Sequence, residues 1–511
     1  MKKNNIIRGI IALGCFGLFA SSCTNLDEDL YGRLTPDSFY KTEDEAIASV
    51  AGGYNYFARM FQAGGDGWRG AEYGTDELMC PGRSNGGWLD ENVLQFMRHE
   101  VIPDNDRLNG LWNCIFPAIG LDNGIIEALE SSSQKDKLAP IIAEARTLRA
   151  YEYYYAMDCF GNVPIFTDAR VSTDNLPTTN TRKEVYDFVV SELTDAIKDL
   201  PSAVNVGPEY YPRLTKESAE AILAYIYLNA QVYAGETQWD KVVSLCDAII
   251  NTGAFDLEPN VGDCFRSDKE GQTKEVITAI SVEPSKSVDG NQYILYAQHA
   301  TDQQKYGLPF APACGYCFDD AALSRYEEGD NRLKLLEYGP QFDLDGNPIM
   351  DPDHAGQQLV LGPIKDFIAA ENNEGYRVLK YTPLGGNFSG YNGDNDYIVE
   401  RYSNVLLMKA EALVRLNKDL DTALALVNKV RNRSGIASLT KAQLTLDAIE
   451  TERANEFIWE GKRRPDMIRF GSYFNKTWSY KKTVTPEWRG IYPIPARQIN
   501  ANPNLKQNPN Y

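Results

Sequence analysis

Aromatic rings beside polar side chains are the residues of this sequence best suited to chemistry. Residues 61–92, a Gly- and Asp-rich stretch, carry Trp68, Tyr73 and Trp88 beside Asp66, Asn85 and Asp90. Residues 253–397 carry a second set, Tyr293, Tyr296, Tyr306, Phe310 and Tyr316 beside Gln298. Flat rings with a few fixed hydrogen-bonding groups are typical of noncovalent ligand sites. We expect ligand binding in these two regions, with core packing as the alternative for any single ring.

The sequence favours neither catalysis nor a cofactor. It has three histidines and no H-E-x-x-H or phosphate-loop pattern, and we expect no G-x-S-x-G nucleophile elbow. Gly65-x-Gly67-x-x-Gly70 matches the dinucleotide pattern by letter, but it follows an apparent helix and encloses Trp68. No pair among the 71 acidic residues stands out as the facing carboxylates of a glycosidase.

Two further groups of residues leave metal and thiol chemistry open. Cys314-x-x-Cys317 is the close cysteine pair of the chain, and zinc or redox chemistry, a disulfide and two free thiols are its three interpretations. The second group, four aspartates between residues 343 and 353, could hold calcium, although it lacks the EF-hand spacing and also suits a solvated turn. It comprises Asp343, Asp345, Asp351 and Asp353.

The first residues have the layout of a secretory leader that ends in a cysteine. Lys2, Lys3 and Arg8 precede an apolar run that stops at small residues just before Cys23. The run is shorter than the roughly 20 residues that span a bilayer. It resembles a bacterial lipobox, which predicts a lipoprotein signal peptide over residues 1–22 and a lipid on Cys23. An uncleaved anchor and a buried structural thiol are the alternatives.

Charge and composition exclude several classes of partner. The 511-residue chain has a formal net charge of −20, and removal of the leader would make it more negative. Nucleic-acid binding and electrostatic adhesion to anionic lipid both need basic surfaces. The chain is 43% hydrophobic, which suits a globular protein with a large core.

Helical periodicity predicts the scaffold that must position the rings. Capping boxes at Thr42 and Thr181 predict helix starts. Residues 213–253 and 400–435 each predict two amphipathic helices joined by a short turn, which resemble tetratricopeptide repeats. Residues 61–105 and 253–397 lack long periodic runs, apart from a predicted strand that begins at Lys274. We predict a mainly α fold, a tetratricopeptide-like helical-hairpin scaffold with an irregular, loop-rich ligand-binding half.

Several segments resemble the SusD/RagB family. They are IIAEARTLRAYEYYYAMDCFGNVPIF, IVERYSNVLLMKAEALVRL, ERANEFIWEGKRRPDMIRFG and the terminal IPARQINANPNLKQNPNY. The resemblance implies one SusD-like domain over residues 23–511, with an N-terminal region of about 23–235 and a C-terminal region of about 270–511. It also implies an α/α superhelix and an outer-membrane lipoprotein on the extracellular face.

The same resemblance implies a function without catalysis. The protein would capture an oligosaccharide as the lid of a SusC-like TonB-dependent β-barrel transporter; a RagB-type peptide-binding lid is the alternative. Pyranose rings stack on aromatic faces, so the regional match predicts a set of ligand-binding residues with Trp88 as the leading candidate. The set comprises Trp88, Trp68, Tyr73, Tyr296, Tyr306, Tyr316, Asp66 and Asn85.

A charged segment in the C-terminal region is expected to be structural. Its carboxylates and guanidinium groups recur at helical spacings, which predicts helix-stabilising ion pairs rather than a catalytic site. Arg463-Arg464-Pro465 is expected to end a helix, since a residue before proline avoids the α region. The charged residues are Glu452, Glu456, Glu460, Arg463, Arg464, Asp466 and Arg469.

Overall fold

Helices form most of the ordered scaffold. The structure is a computed structural model that describes residues 42–83, 87–172, 174–283, 290–478 and 480–511. In chain order its α-helices are α1 Glu43–Ala58, α2 Asp66–Glu72, α3 Glu91–Arg98, α4 Asp106–Glu130, α5 Ala139–Phe160, α6 Arg182–Asp199, α7 Lys216–Leu228, α8 Ala230–Ala234, α9 Trp239–Thr252, α10 Tyr293–Ala297, α11 Asp302–Tyr306, α12 Asp320–Leu323, α13 Tyr402–Leu416, α14 Leu420–Arg433, α15 Leu446–Glu456, α16 Arg463–Phe470, α17 Ser472–Asn475 and α18 Ala496–Ala501.

The strands are short and pair two by two. They are β1 Val276–Ile280, β2 Leu336–Glu337, β3 Gly339–Pro340, β4 Val360–Leu361, β5 Arg377–Val378, β6 Phe388–Ser389, β7 Asn392–Gly393 and β8 Tyr397–Arg401. Antiparallel pairs form between β1 and β8, β2 and β5, β3 and β4, and β6 and β7. Short 3-10 helices occupy Ala203–Asn205, Pro208–Tyr210, Val261–Phe265, Ser267–Lys269, Asn331–Leu335, Lys441–Gln443 and Glu487–Gly490.

The two predicted helical hairpins are confirmed, and they pack on each other. Helix α9 lies against both α7 and α13, while α13 also packs on α14. Gly235, at φ +72°, ends α8 in the left-handed conformation and turns the chain towards α9. The apolar positions that predicted α7, such as Ile222 and Ile226, are buried. Stacking therefore covers the apolar stripe of each hairpin.

The predicted helix starts and the predicted strand are also confirmed. Thr42 and Thr181 each form a reciprocal capping box, with Glu45 and Glu184 respectively. Strand β1 pairs antiparallel with β8, which leads directly into α13. This pairing joins residues 276–280, in the first part of the irregular region of residues 253–397, to the end of that region. Within the described residues no helix is both long and apolar enough to cross a membrane.

Residues 61–105 are more regular than the sequence predicts, since they contain α2 and α3. Two glycines that resemble loop residues permit close packing of α2. A Cβ on Gly67 would lie 2.6 Å from the Cα of Met60, and one on Gly70 would lie 2.7 Å from Leu111. Close approach of the backbone, and not loop flexibility, accounts for these glycines.

The charged C-terminal segment forms buried ion pairs, but most of them join distant elements. Arg401 is fully buried and contacts Glu275, Glu456 and Glu460 at 2.5–2.8 Å. Burial alone would raise the pKa of Glu456, but Arg433, Arg401 and Arg332 outweigh it and hold that pKa well below its ordinary value. The Asp466–Arg469 pair does follow the predicted three-residue spacing.

Other members of the segment show the same long-range pairing. Arg463 contacts Asp76, and Arg464 contacts Asp158. The expectation that Arg463-Arg464-Pro465 ends a helix is wrong, because α16 begins at Arg463. Proline is tolerated in the first turn, where its missing N–H would have no helical partner.

Candidate functional site

An aromatic column runs from the surface into the core. We use this name for Trp88, Tyr296, Tyr316 and Trp68. The Trp88 and Tyr296 ring centroids are 4.6 Å apart, and Tyr296 stacks on Tyr316 at 5.4 Å with 15° between the planes. Tyr316 in turn lies 5.7 Å from Trp68. The two outer rings are half-buried, so the column presents a partly open aromatic face to solvent.

The inner rings do not have the ligand-facing position that the sequence predicts. Trp68, Tyr73 and Tyr316 are at most 2% exposed. Trp68 lies on α2, whose side chains are mostly buried, and it also contacts Trp459 in the core. We therefore revise the expectation for these three residues: they support the outer rings from below and offer no face of their own to a ligand.

A glycine allows the Trp88 ring to approach the backbone closely. A Cβ on Gly315 would lie 1.9 Å from Cζ3 of the indole and 2.3 Å from Cε3. Because carbon atoms pack at about 3.5–4.0 Å, no larger residue fits without moving the ring. Gly315 lies between Cys314 and Tyr316, so one segment provides both the backbone under Trp88 and a ring of the column.

Charged groups border the column. Asp66 Oδ1 lies 3.3 Å from Arg69 and 3.7 Å from Arg107, which also reaches Asp90 at 3.5 Å. Arg69 donates from Nε to the Tyr316 hydroxyl at 2.7 Å, which links the charges to the rings. Burial raises the pKa of Asp66, and the two arginines counteract that rise only in part. The border thus offers carboxylate acceptors and guanidinium donors beside a ring face.

Tyr306 and Gln298, two other predicted site residues, lie away from the column. Tyr306 is half-buried and packs in a separate small cluster with Ile294, Leu308 and Phe310. Gln298 is fully buried, and within the described residues neither of its amide atoms has a hydrogen-bond partner. Asn85 and Cys23 lie outside the described residues. The structure therefore brings together Trp88, Tyr296 and Asp66 at a surface, above Trp68, Tyr73 and Tyr316.

A separate concavity lies beside α11. It encloses about 800 Å³ between Gln303, Gln304 and Lys305 on one side and Leu344 and Met350 on the other. Its walls contain no aromatic ring, so it lacks the stacking faces of the column.

The cysteine pair and the aspartate group show no built metal site. Cys314 and Cys317 are buried free thiols. Asp343 accepts hydrogen bonds from the backbone N–H groups of Asp345 and Asn347, the geometry of a turn. Among the described residues, no three His, Cys, Asp or Glu side chains are grouped to hold a metal ion.

One motif expectation needs correction. Residues 82–86 do match G-x-S-x-G by letter. A nucleophile elbow joins a strand to a helix, whereas Met79, which precedes this match, and Arg83, which lies within it, form only isolated bridges. Among the residues that the structure describes, the next helix begins at Glu91, and Ser84 is not one of them. The context therefore differs from that of a serine hydrolase.

Sequence reasoning missed the residues that hold the site in place. Gly315 and Arg107 belong to no recognisable motif, and each acquires its role through a residue far away in sequence. Asn392 and Tyr391 were likewise missed, although the Gly390-Tyr391 pair between two short strands is a turn signal that could have located them.

Comparison with known proteins identifies the fold and the family. A model of the SusD family matches residues 319–511, and a model described as starch-binding associating with outer membrane matches residues 67–228. Starch-binding protein SusD of Bacteroides thetaiotaomicron is 25% identical over 492 residues, covering 86% of this chain and 84% of that protein. A SusD-like protein of Bacteroides ovatus is 23% identical and covers 94% and 85%.

Solved structures share the architecture. Surface glycan-binding protein A from Bacteroides thetaiotaomicron, in complex with laminarihexaose, superposes with a TM-score of 0.74 at 22% identity, covering 91% of this chain and 99% of that one. The stacked hairpins and the ring-lined site thus define a mainly α-helical scaffold protein with an irregular, site-bearing half. With both family models matched, the chain belongs to the SusD/RagB family.

Proposed function

We propose that this chain binds an oligosaccharide at the cell surface, without cleaving it, and delivers it to a transporter in the outer membrane. The observation that carries the proposal is the half-buried Trp88–Tyr296 pair, with the Arg69 guanidinium, which is paired with Asp66, 5.7 Å from the Tyr296 ring. The C–H face of a pyranose ring can stack on the open aromatic face, while its hydroxyl groups meet the charged border.

The relatives support a glycan ligand. One is named a starch-binding protein, and a structural neighbour is named a surface glycan-binding protein and holds laminarihexaose. The description of the second matched family model also combines starch binding with the outer membrane. These names suit a site made of rings and hydrogen-bonding groups better than they suit a catalytic centre.

Anchoring and transport form the second part of the proposal. Cys23 would carry the lipid that holds residues 23–511, acting as a single domain, on the extracellular face of the outer membrane. A lipid anchor does not move a ligand across a membrane, so uptake requires a partner. We propose a SusC-like TonB-dependent β-barrel transporter in that role. Mild-detergent purification should recover such a transporter with the chain; recovery of the chain alone would contradict this part.

The binding claim is tested by calorimetric titration of the purified full-length chain with maltohexaose and laminarihexaose. Loss of an anchoring ring often costs about 2 kcal/mol or more, so Trp88→Ala should weaken binding about thirtyfold, at about 1.4 kcal/mol for each tenfold. Trp488→Ala is the matched control, because Trp488 is also half-buried but contacts Tyr511. It should leave affinity unchanged.

Two further readouts separate the alternatives. A thermal melt of Trp88→Ala should stay close to that of the wild type, because the ring lies at the edge of the core; a large drop would make Trp88 a core residue. Release of reducing ends from either hexasaccharide would overturn the claim of binding without cleavage. Binding of peptides in place of both saccharides would favour the RagB-type alternative.

A further inference from the structure

A β-hairpin beside the aromatic column presents a second exposed ring. Strands β6 and β7 pair Phe388 with Gly393 and Ser389 with Asn392. Gly390, at φ +60°, and Tyr391 connect them, and a glycine first in a two-residue connection suits the twist of a hairpin. Tyr391 is 58% exposed, so its ring stands clear at the tip.

The hairpin is held rigidly on the scaffold. Asn291 and Gly393 exchange two backbone hydrogen bonds of 3.0 and 2.8 Å. Beneath the tip, Phe310 meets the Tyr391 ring edge-on at 5.6 Å and the Phe388 ring at 5.8 Å. A ring fixed in this way loses little conformational freedom when it binds a ligand.

A continuous strip of residues joins the hairpin to the column. Asn392 accepts a hydrogen bond from Gln292 Nε2 at 2.8 Å. Gln292 precedes α10, which carries Tyr296, and the side chains of Gln292 and Tyr296 meet at Gly64, where an added Cβ would lie 2.7 Å from each. Trp88, Tyr296, Gln292 and Asn392 are all half-buried. The strip therefore runs from ring to amide to ring, with solvent access along its length.

We propose that Tyr391 forms a second stacking position for a saccharide that is long enough to extend from the Trp88–Tyr296 pair across Gln292 and Asn392. The two amides lie between the rings, where the hydroxyl groups of intermediate sugar units would pass. A short saccharide occupies the Trp88 end alone, whereas a longer chain also reaches Tyr391. The inference rests on the proposed function and makes Tyr391 a residue that sets the preferred ligand length.

The test compares the affinities of short and long saccharides for the full-length chain. The probes are maltose with maltohexaose and laminaribiose with laminarihexaose. Tyr391→Ala should weaken hexasaccharide binding about three- to tenfold, the equivalent of one aromatic contact, and leave disaccharide binding unchanged. Tyr391→Phe should retain hexasaccharide affinity, because it keeps the stacking face. Tyr338→Ala, which removes another exposed tyrosine (40%), is the matched control and should change neither.

The outcomes separate this inference from the proposed function. Equal weakening for both lengths, or none for either hexasaccharide, overturns the second stacking position while leaving the Trp88 site intact. A loss of hexasaccharide affinity in Tyr338→Ala as large as that in Tyr391→Ala also overturns it. A wild-type chain that binds neither saccharide series refutes the proposed function and, with it, the ground for this subsite.

Discussion

Substitution of Gly315 by alanine should damage the site without removing any ring. The added Cβ would lie 1.9 Å from Trp88 Cζ3. Because carbon atoms pack at about 3.5–4.0 Å, the indole must shift by about 1.5–2 Å. Gly315 has no left-handed backbone conformation, so alanine adds no backbone strain. The effect should therefore come from displacement of the ring.

The magnitude follows from the contact that is lost. An aromatic contact contributes about 0.5–1.5 kcal/mol beyond the area it buries, and a displaced ring forfeits most of that with a sugar. Gly315→Ala should therefore weaken hexasaccharide binding about three- to tenfold. The loss should be smaller than in Trp88→Ala, because the displaced indole still covers part of the ligand.

Calorimetric titration of four variants provides the assay. The variants are Gly315→Ala, Trp88→Ala, the double variant and Gly362→Ala. An added Cβ on Gly362 meets no heavy atom within 4 Å, so this control should bind like the wild type. Since Gly315 is argued to act through Trp88, it should have no further effect once Trp88 is absent. Additive losses in the double variant, or full affinity in Gly315→Ala, would refute the reasoning.

Three further predictions concern stability and anchoring. Arg401→Met leaves Glu275, Glu456 and Glu460 without their shared cation, so urea denaturation should show a loss of about 3–5 kcal/mol in the free energy of unfolding. The control, Lys429→Met, breaks the exposed Lys429–Asp256 pair and should lower that free energy by less than about 1 kcal/mol. Burial raises the pKa of Asp122 to about 8, against about 3.9 in the unfolded chain. The folded state therefore holds more protons between these values, and the free energy of unfolding should fall as pH rises from about 5 to 8. Asp122→Asn should flatten that decline; an unchanged slope would contradict the raised pKa of Asp122. Cys23→Ala should move the protein from the membrane fraction to the soluble fraction, since each buried lipid CH₂ contributes about 0.8 kcal/mol; retention in the membrane would show that another segment anchors it.

The helical scaffold could be predicted because its signals are local. The apolar spacing of Ile222 and Ile226 and the capping box at Thr181 depend on neighbours within a few residues. The strand near Val276 is likewise predicted from its own neighbouring residues. Such signals locate elements, and stacking of two similar hairpins follows from their apolar faces.

The site could be predicted only in part, because its geometry depends on contacts between distant segments. The sequence indicates Trp88 and Tyr296 as candidate rings, but the position of Trp88 depends on Gly315, whose role no local pattern reveals. The Gly- and Asp-rich composition of residues 61–92 favours a ligand-facing position for Trp68, whereas Gly67 and Gly70 allow the buried helix that carries it. The structural role expected for Glu456 is similar, but its cation partners are Arg332, Arg401 and Arg433, which lie outside the helical spacing of its own segment.

A crystal structure of the chain with bound maltohexaose or laminarihexaose tests the central claim most directly. The account predicts a sugar ring stacked on the Trp88 indole, with hydroxyl groups within hydrogen-bond distance of Asp66 or Arg107. A saccharide bound instead in the concavity between Gln304 and Met350, with Trp88 left uncovered, would contradict it.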